Sequence, residues 1–355
     1  MLRPGKTDAG PMKILICSYT FSPNVGGIET VTRLLAAEFL AAGHEVKICT
    51  RTTGESADDL GFDVMRNPSR RAFQLAVSWA DAVLHNNISL PWALPLILKR
   101  KPWVCVHQNW PSAEDGSIDW RGRLKLRVAA MASAQVSVSR GVLAELRGNP
   151  IILGNPYDEA LFHPAPGVVR DRDILFVGRL ITGKAADTVI RAVALIRPNR
   201  PDVSLTVVGD GPTLEDLRAL VHVLGLEDNV SFTGTKTGSE LVAEMSRHTL
   251  SVVPSRARET FGIVALEAMG CGCVVIGSDH GGIPEAIGAG GPIFPADDVG
   301  QLARLALELL TTEPALAVQR ARQATHLEMF FAHNVAALYL EVLYRAANGR
   351  SKRPA

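Results

Sequence analysis

The chain states one piece of grammar twice: a short unbroken apolar run, a loop, and then a stretch of helical period. Lys13-Ile14-Leu15-Ile16-Cys17 opens the first occurrence. Apolar residues without alternation mark a parallel strand covered on both faces. The loop from Ser18 to Gly27 carries Pro23, Gly26 and Gly27. Val31, Leu34, Leu35 and Phe39 then lie on one stripe of a helix expected over 28–42, which Gly43 ends. Glu45 to Thr50 is the next strand, so this segment is a β-α-β unit.

The second occurrence starts with a strand at 173–177, a loop at 178–186 and a helix at 188–196. A strand at 204–208 runs into the tight turn Gly209-Asp210-Gly211-Pro212 and a polar helix at 214–224. Further strands are expected at 230–232, 250–253 and 274–276. Strands alternating with helices give an α/β chain of two Rossmann-like domains, each a parallel sheet with helices on both faces. Two such domains predict a ligand in a central cleft, at the carboxyl ends of the strands.

Length and charge agree with this layout. The 355 residues hold two domains at about 150 each. With 47% apolar and 21% charged residues, a disordered chain is excluded. Lys plus Arg number 37 against 36 Asp plus Glu, so no bulk field favours nucleic acid. The net charge is +3 over residues 1–165 and −2 beyond. Pro156, Pro164, Pro166 and Gly167 mark a linker, which sets the expected domains at 13–165 and 166–330. Residues 1–12 lack an apolar core and read as a loose tail, not a secretory signal.

The five Cys are scattered through apolar runs, which predicts buried structural thiols and a reducing cytoplasm. Cys271-Gly-Cys273 has the wrong spacing for zinc. Asp171 and Asp173 read as a solvated face, and no aspartate pair is expected to hold a metal.

Three stretches carry chemistry. Gly26-Gly27 precedes a helix, where backbone can approach a ligand and free N–H groups favour an anion. The pattern is not the six-residue dinucleotide fingerprint, and a plain loop pair fits it too. Arg179 and Lys184 follow the first strand of the second half. An Arg fork with a Lys point charge suits a diphosphate without a metal, although two solvated cations have the same spelling. The third stretch runs from Pro254 to Met269 and contains Glu259 and Glu267. A mostly helical path would separate the two carboxylates by roughly 12 Å. That is wide for a hydrolase pair, which needs roughly 5 to 9.5 Å. It suits two acceptors holding distant hydroxyls of one long ligand. The amides of Phe261 and Gly262 would start the helix and meet a phosphate. The alternative makes Glu259 a helix-terminal charge and Glu267 a surface residue.

Taken in order, the motifs resemble a known family. They are Phe21-Ser-Pro-Asn-Val-Gly-Gly-Ile-Glu29, Val106-His107, Asn155-Pro-Tyr-Asp158 with Phe162, Val177-Gly-Arg-Leu180 with Lys184, Val208-Gly-Asp-Gly-Pro212, Phe232-Thr-Gly234, Pro254-Ser255, the Glu-x7-Glu stretch and Gly281-Gly-Ile-Pro-Glu285. Together they resemble the retaining glycosyltransferases of family 4, with the two-domain GT-B fold. Ala185, Gly270 and Val274 stand where that family usually has Gly, Ala and Pro.

The resemblance implies roles. Gly26 and Gly27 face the donor diphosphate, and Gly178, Arg179 and Lys184 hold it as the leaving group departs. Glu259, Thr260, Phe261, Gly262 and Ile263 grip the donor sugar, and Glu267 accepts from the ribose. His107 lies near the sugar's reactive face; read by itself it is a strand-end histidine, as is His85. Domain closure is expected to assemble these groups. His107, Arg179, Lys184 and Glu259 are the expected catalytic set.

The resemblance also gives the first domain to the acceptor and returns the helix near 332–346, within the segment 331–355, to that domain. Trp120-Arg-Gly-Arg-Leu-Lys-Leu-Arg-Val128 places Arg121, Arg123, Lys125 and Arg127 within seven residues. Lys99-Arg100-Lys101 and Arg70-Arg71 add to them. Such a stretch is either a charged helix face or a dock for anionic lipid.

The expected function is a cytoplasmic, metal-independent glycosyltransferase, peripheral on the membrane's inner face, that uses a UDP- or GDP-linked sugar. It acts with retention on a glycan or lipid-linked acceptor in cell-surface polysaccharide or glycolipid synthesis. The alternatives are a nucleotide-sugar epimerase of the same fold and a non-catalytic sugar-nucleotide-binding protein.

Overall fold

The computed structural model describes residues 10–24, 26–54, 61–113 and 115–349. The expected tail lies almost wholly outside the described residues, as does the basic end of the chain from 350. The chain divides into two compact units, one ending at Tyr157 and taking back the segment from Phe330, the other running from Asp158 to Met329.

The first unit runs β1 (Lys13–Ser18), α1 (Gly27–Ala41), β2 (Glu45–Thr50), β3 (Asp63–Arg66), α2 (Arg70–Trp79) and β4 (Ala82–Asn86). It continues with α3 (Leu90–Leu98), β5 (Trp103–His107), α4 (Trp120–Ala129), β6 (Ala134–Ser137), α5 (Arg140–Leu143) and β7 (Ile151–Ile152). The seven strands form one sheet in the order β3-β2-β1-β4-β5-β6-β7, parallel throughout. Strand order reverses between β1 and β4, where Ser18 stands opposite Asn86. Leu15, Cys17, Val83, Trp92, Trp103 and Cys105 share one core cluster, which is why β1, β4 and β5 read as unbroken apolar runs.

The second unit runs β8 (Arg172–Val177), α6 (Ala186–Ile196), β9 (Leu205–Val208), α7 (Leu214–Val223), β10 (Val230–Gly234) and α8 (Gly238–Arg247). Then come β11 (His248–Val253), α9 (Ile263–Gly270), β12 (Val274–Ser278), α10 (Ile283–Ile287), β13 (Ile293–Phe294), α11 (Val299–Thr311) and α12 (Glu313–Leu327). Its sheet has the order β10-β9-β8-β11-β12-β13, again parallel. The final helix, α13 (Ala332–Ala347), packs on α1, β4 and β5 of the first unit.

The break between the units falls at Tyr157 and Asp158, before the expected residue 165. The proline-rich segment that follows is tied to the second unit. Ala165 N donates to Ser246 Oγ at 2.9 Å, and Arg170 Nη2 to the Cys271 carbonyl at 3.0 Å. The return falls at Phe330, whose carbonyl accepts from Tyr157 N at 3.2 Å.

Asp173 corrects a reading. It is buried, not solvated, and accepts from Arg200 Nη2 at 2.8 Å and Ser204 N at 2.9 Å. Asp171 keeps the solvated reading, paired at the surface with Arg247.

Candidate functional site

The expected site residues fall on both units. Gly26, Gly27 and His107 belong to the first, and Gly178, Arg179, Lys184, Glu259 to Ile263 and Glu267 to the second. Each set lies at the carboxyl ends of its strands, where an open parallel sheet binds ligands.

Gly26 is the N-cap of α1 in extended conformation, with no side chain capping the helix start. Its loop is held from below. Phe21 N donates to Thr52 Oγ1 at 2.9 Å, and Arg66 Nη1 to the Ser22 carbonyl at 2.7 Å. His107 ends β5 and is only 4% exposed. Its Nε2 hydrogen-bonds Gln135 Oε1 at 3.0 Å, and Gln135 Nε2 donates onward to the Arg147 carbonyl at 2.8 Å. Burial lowers the His107 pKa and outweighs the opposing hydrogen bond, so the ring is neutral at pH 7.

In the second unit, Gly178 follows β8, and its N donates to the Val208 carbonyl at 3.0 Å. A Cβ on Gly209 would stand 1.9 Å from the Gly178 carbonyl, so the Val208-Gly-Asp-Gly-Pro212 turn needs glycine to sit against the site strand. Arg179 is exposed, while its neighbour Leu180 is pinned to the Asp210 carbonyl at 2.9 Å. Lys184 closes a short 3-10 turn, Thr182–Lys184. Ala185 then adopts the left-handed conformation with φ of 58°. Alanine keeps the bend here for which the resembled family uses glycine, at a cost of about 1 kcal/mol.

The structure brings Lys184 and Glu259 together as an ion pair, both side chains half-buried. Ser255 Oγ donates to the same Glu259 oxygen at 3.0 Å. Glu259 lies in the loop after β11, not in a helix. Gly262 takes φ of 98°, and α9 begins only at Ile263. The helical spacing expected for Glu259 and Glu267 is therefore wrong, and so is a helix start at Phe261. Left-handed Gly262 lets the chain turn out of the strand loop into α9. Phe261 is buried. A Cβ on Gly281 would stand 2.4 Å from the Glu259 carbonyl, and one on Gly282 2.4 Å from the Thr260 carbonyl. The Gly281-Gly-Ile-Pro-Glu285 motif thus lets two backbone segments touch, and Gly282 N donates to the Glu259 carbonyl at 2.8 Å.

Glu267 is on α9, half-buried rather than on the open surface. Burial, then the nearby Asp158 charge, pushes its pKa up to about 7.

Three residues to which the sequence reading gave no role contribute to the site, Ser255 having been quoted there only as part of a motif. Ser255 shares Glu259 with Lys184. Gln135 fixes His107. Arg256 bridges Asp187, Thr188, the Thr182 carbonyl and Asp297. It thereby ties the turn carrying Lys184 to the loop carrying Glu259. The only sequence signal for Arg256 was its place three residues beyond the end of β11.

Arg121, Arg123, Lys125 and Arg127 are exposed on α4, beside Trp120, which is 67% exposed. All five Cys are buried free thiols. Burial pushes Cys49 and Cys271 up to about 12 and Cys273 to about 11. Among the described residues no three His, Cys, Asp or Glu converge as a metal site, and no helix is long and apolar enough to cross a membrane.

Residues 161–326 match the family model described as Glycosyl transferases group 1. A D-inositol 3-phosphate glycosyltransferase of Mycolicibacterium smegmatis is 33% identical over 192 residues, 53% of this chain and 44% of that relative. A GDP-mannose-dependent alpha-(1-6)-phosphatidylinositol monomannoside mannosyltransferase of Mycobacterium tuberculosis is 38% identical over 120 residues, 32% of this chain and 31% of that relative. The matched stretches span less than half the length of these two curated relatives. The crystal structure of Anabaena HepE with UDP-glucose superimposes with a TM-score of 0.78 at 22% identity, over 94% of this chain and 99% of that one. The second unit thus matches the glycosyl transferases group 1 over nearly its whole length, and the chain has the GT-B fold.

Proposed function

We propose that the chain is a retaining glycosyltransferase that moves a sugar from a nucleotide-diphosphate donor to a glycan or lipid-linked acceptor without a metal. The single observation that carries this reading is the Lys184–Glu259 pair, set just before α9 on two loops that Arg256 joins. Breaking a sugar–diphosphate bond builds negative charge on the departing phosphate and positive charge on the sugar. Preplaced cations stabilise the former where it develops. Lys184 and exposed Arg179 supply that charge. Glu259 accepts from sugar hydroxyls, and ionised Glu267 accepts from the ribose. Gly26, Gly27 and His107 keep their expected roles. UDP and GDP are the bases favoured by the names of the similar proteins. The reading places the enzyme in the cytoplasm, in surface polysaccharide or glycolipid synthesis, with the basic face of α4 toward an anionic membrane.

The test is a thermal-shift screen with UDP-, GDP-, ADP- and dTDP-sugars in the presence of EDTA. A ligand bound only by the native state raises the melting temperature. Stabilisation by one nucleotide family supports the reading and names the base. Stabilisation that appears only when a divalent metal replaces EDTA overturns metal independence. No shift under either condition overturns the donor site.

A further inference from the structure

Helices α2, α3 and α4 cover the same face of the first sheet, because Phe73, Trp92, Leu96 and Ala129 from the three belong to one core cluster. Their outward sides therefore look the same way. None of the three helices carries an Asp or Glu. α3, Leu-Pro-Trp-Ala-Leu-Pro-Leu-Ile-Leu, has no polar side chain at all. A helix apolar all round is normally enclosed on every side. Here only Trp92, Ala93 and Leu96 are buried, while Leu94 is 56% and Leu98 73% exposed. α2 adds exposed Leu75, and Lys99 Nζ at the end of α3 reaches across to the Gln74 carbonyl of α2 at 2.9 Å. On α4, Trp120 and Leu124 stand one turn apart, on the side away from buried Leu126 and Ala129. Exposed Met131 extends their line just past the helix end. Arg121 and Lys125 flank that line on one side, and Arg123 and Arg127 on the other. Among the described residues no carboxylate pairs with these four cations.

We infer that the outward face of α2, α3 and α4 inserts into an anionic lipid surface, so that leucine and tryptophan side chains hold the chain there together with the cations. The inference deepens the membrane part of the proposed function and rests on it for the partner. Docking by charge alone would leave the bare stripe of α3 in water. A helix lying in a bilayer interface combines Trp and Leu on its buried side with Lys and Arg at the rim. The same pattern stands on α4, where the Arg121 guanidinium sits over the Trp120 ring at 5.2 Å. A second copy laid on this face would set cation against cation, which favours an anionic partner instead. Insertion and charge are two weak signals that hold only together, so high salt still releases the protein. Insertion also needs gaps between headgroups, so small, strained vesicles are preferred to large ones of the same charge.

The experiment sediments the full chain with phosphatidylglycerol–phosphatidylcholine vesicles of two sizes at low salt. Binding is repeated with lipids brominated in their acyl chains, which quench tryptophan on contact. Wild type is compared with Leu94→Ser combined with Leu98→Ser, with Trp120→Phe and, as a surface control on α6, with Leu195→Ser, whose leucine is also exposed. Melting temperature, UDP and GDP binding and light-scattering mass are read on the same samples. The expected result is a partition about tenfold or more weaker in the leucine double variant, with melting temperature and nucleotide binding unchanged. Leu195→Ser should match wild type. Brominated lipid should quench wild type and quench Trp120→Phe far less. Equal partition of wild type and the double variant overturns insertion and leaves docking by charge alone. No vesicle binding by wild type overturns insertion and docking together. A wild-type dimer that the double variant dissolves, with vesicle binding equal in both, gives the face to a second copy and overturns the inference. If insertion is seen while wild type binds no nucleotide, the inference stands and the glycosyltransferase reading falls.

Discussion

Arg256 sets its guanidinium fork on both carboxylate oxygens of Asp187, with Nη1 2.8 Å from Oδ1 and Nη2 2.7 Å from Oδ2. Nη2 also reaches Thr188 Oγ1 at 3.0 Å, and Nε pairs with Asp297. These partners raise the Arg256 pKa, so the charge is permanent. The group acts on substrate only through the loops it joins. Arg256→Met should lower stability by about 1 to 3 kcal/mol and weaken nucleotide-sugar binding, read by urea unfolding and calorimetry. Arg256→Lys keeps the charge but loses the fork, so it should restore stability in part and binding hardly at all. Unchanged donor affinity in both variants would remove the positioning role.

Glu259→Ala should cut turnover by about a hundredfold or more while the melting temperature moves little, because the pair it breaks is partly solvated. Released nucleotide diphosphate is the readout. Wild-type turnover in the variant would end the assignment of Glu259.

Glu267 makes stability and binding respond to pH in opposite senses. Its folded pKa of about 7 lies above the ordinary 4.5. Between those values the native state holds a proton that the unfolded chain has released. Its contribution is therefore intact below pH 4.5 and lost as pH rises through 7, a decline on the order of 3 kcal/mol. Glu267→Gln should flatten this part of the stability profile. Nucleotide affinity should rise with pH through 7 in wild type, as the ionised carboxylate becomes available to a ribose hydroxyl. In the Gln variant it should stay level. Parallel profiles for the two proteins would exclude Glu267 from the ribose.

Gly281→Ala forces a methyl against the Glu259 carbonyl and also asks an L side chain to hold φ of 62°. Activity should fall by about tenfold or more, with a stability loss of about 1 to 3 kcal/mol. Gly43→Ala also faces a positive φ, at 86°, but meets nothing within 4 Å. It should lose stability without losing donor affinity. Equal effects on donor binding would show that the Gly281 contact does not shape the site.

The basic face of α4 should float the protein with anionic liposomes at low salt and release it at high salt. Arg121→Glu combined with Lys125→Glu should abolish flotation. Wild type left wholly in the unbound fraction at low salt would refute membrane docking.

The parallel strands were legible because burial on both faces leaves an unmistakable apolar run, as in Lys13–Cys17 and Asp173–Val177. Glycine pairs were legible as motifs, but their cause was not. Gly281 and Gly282 matter because of backbone at Glu259 and Thr260, more than twenty positions away. The path between Glu259 and Glu267 was misjudged because helical composition says nothing about a left-handed residue such as Gly262 that delays the helix. Asp173 looked solvated because its partners, Arg200 and Ser204, arrive from another strand connection. Arg256 and Gln135 were invisible for the same reason, since a side chain's role in a fixed network is set by long-range partners that no local pattern encodes.

The segment from Phe330 that returns to pack α13 on α1, β4 and β5 has a consequence for the order of assembly. As the ribosome releases the chain, the first sheet emerges early, but one of its covering helices follows only after the whole second unit. The second unit is continuous from Asp158 to Met329, so it is the first to have all its parts. Until α13 has been made, the apolar surfaces of α1, β4 and β5 that it will cover stay open, and a nascent chain stalled near residue 330 would offer them to chaperones.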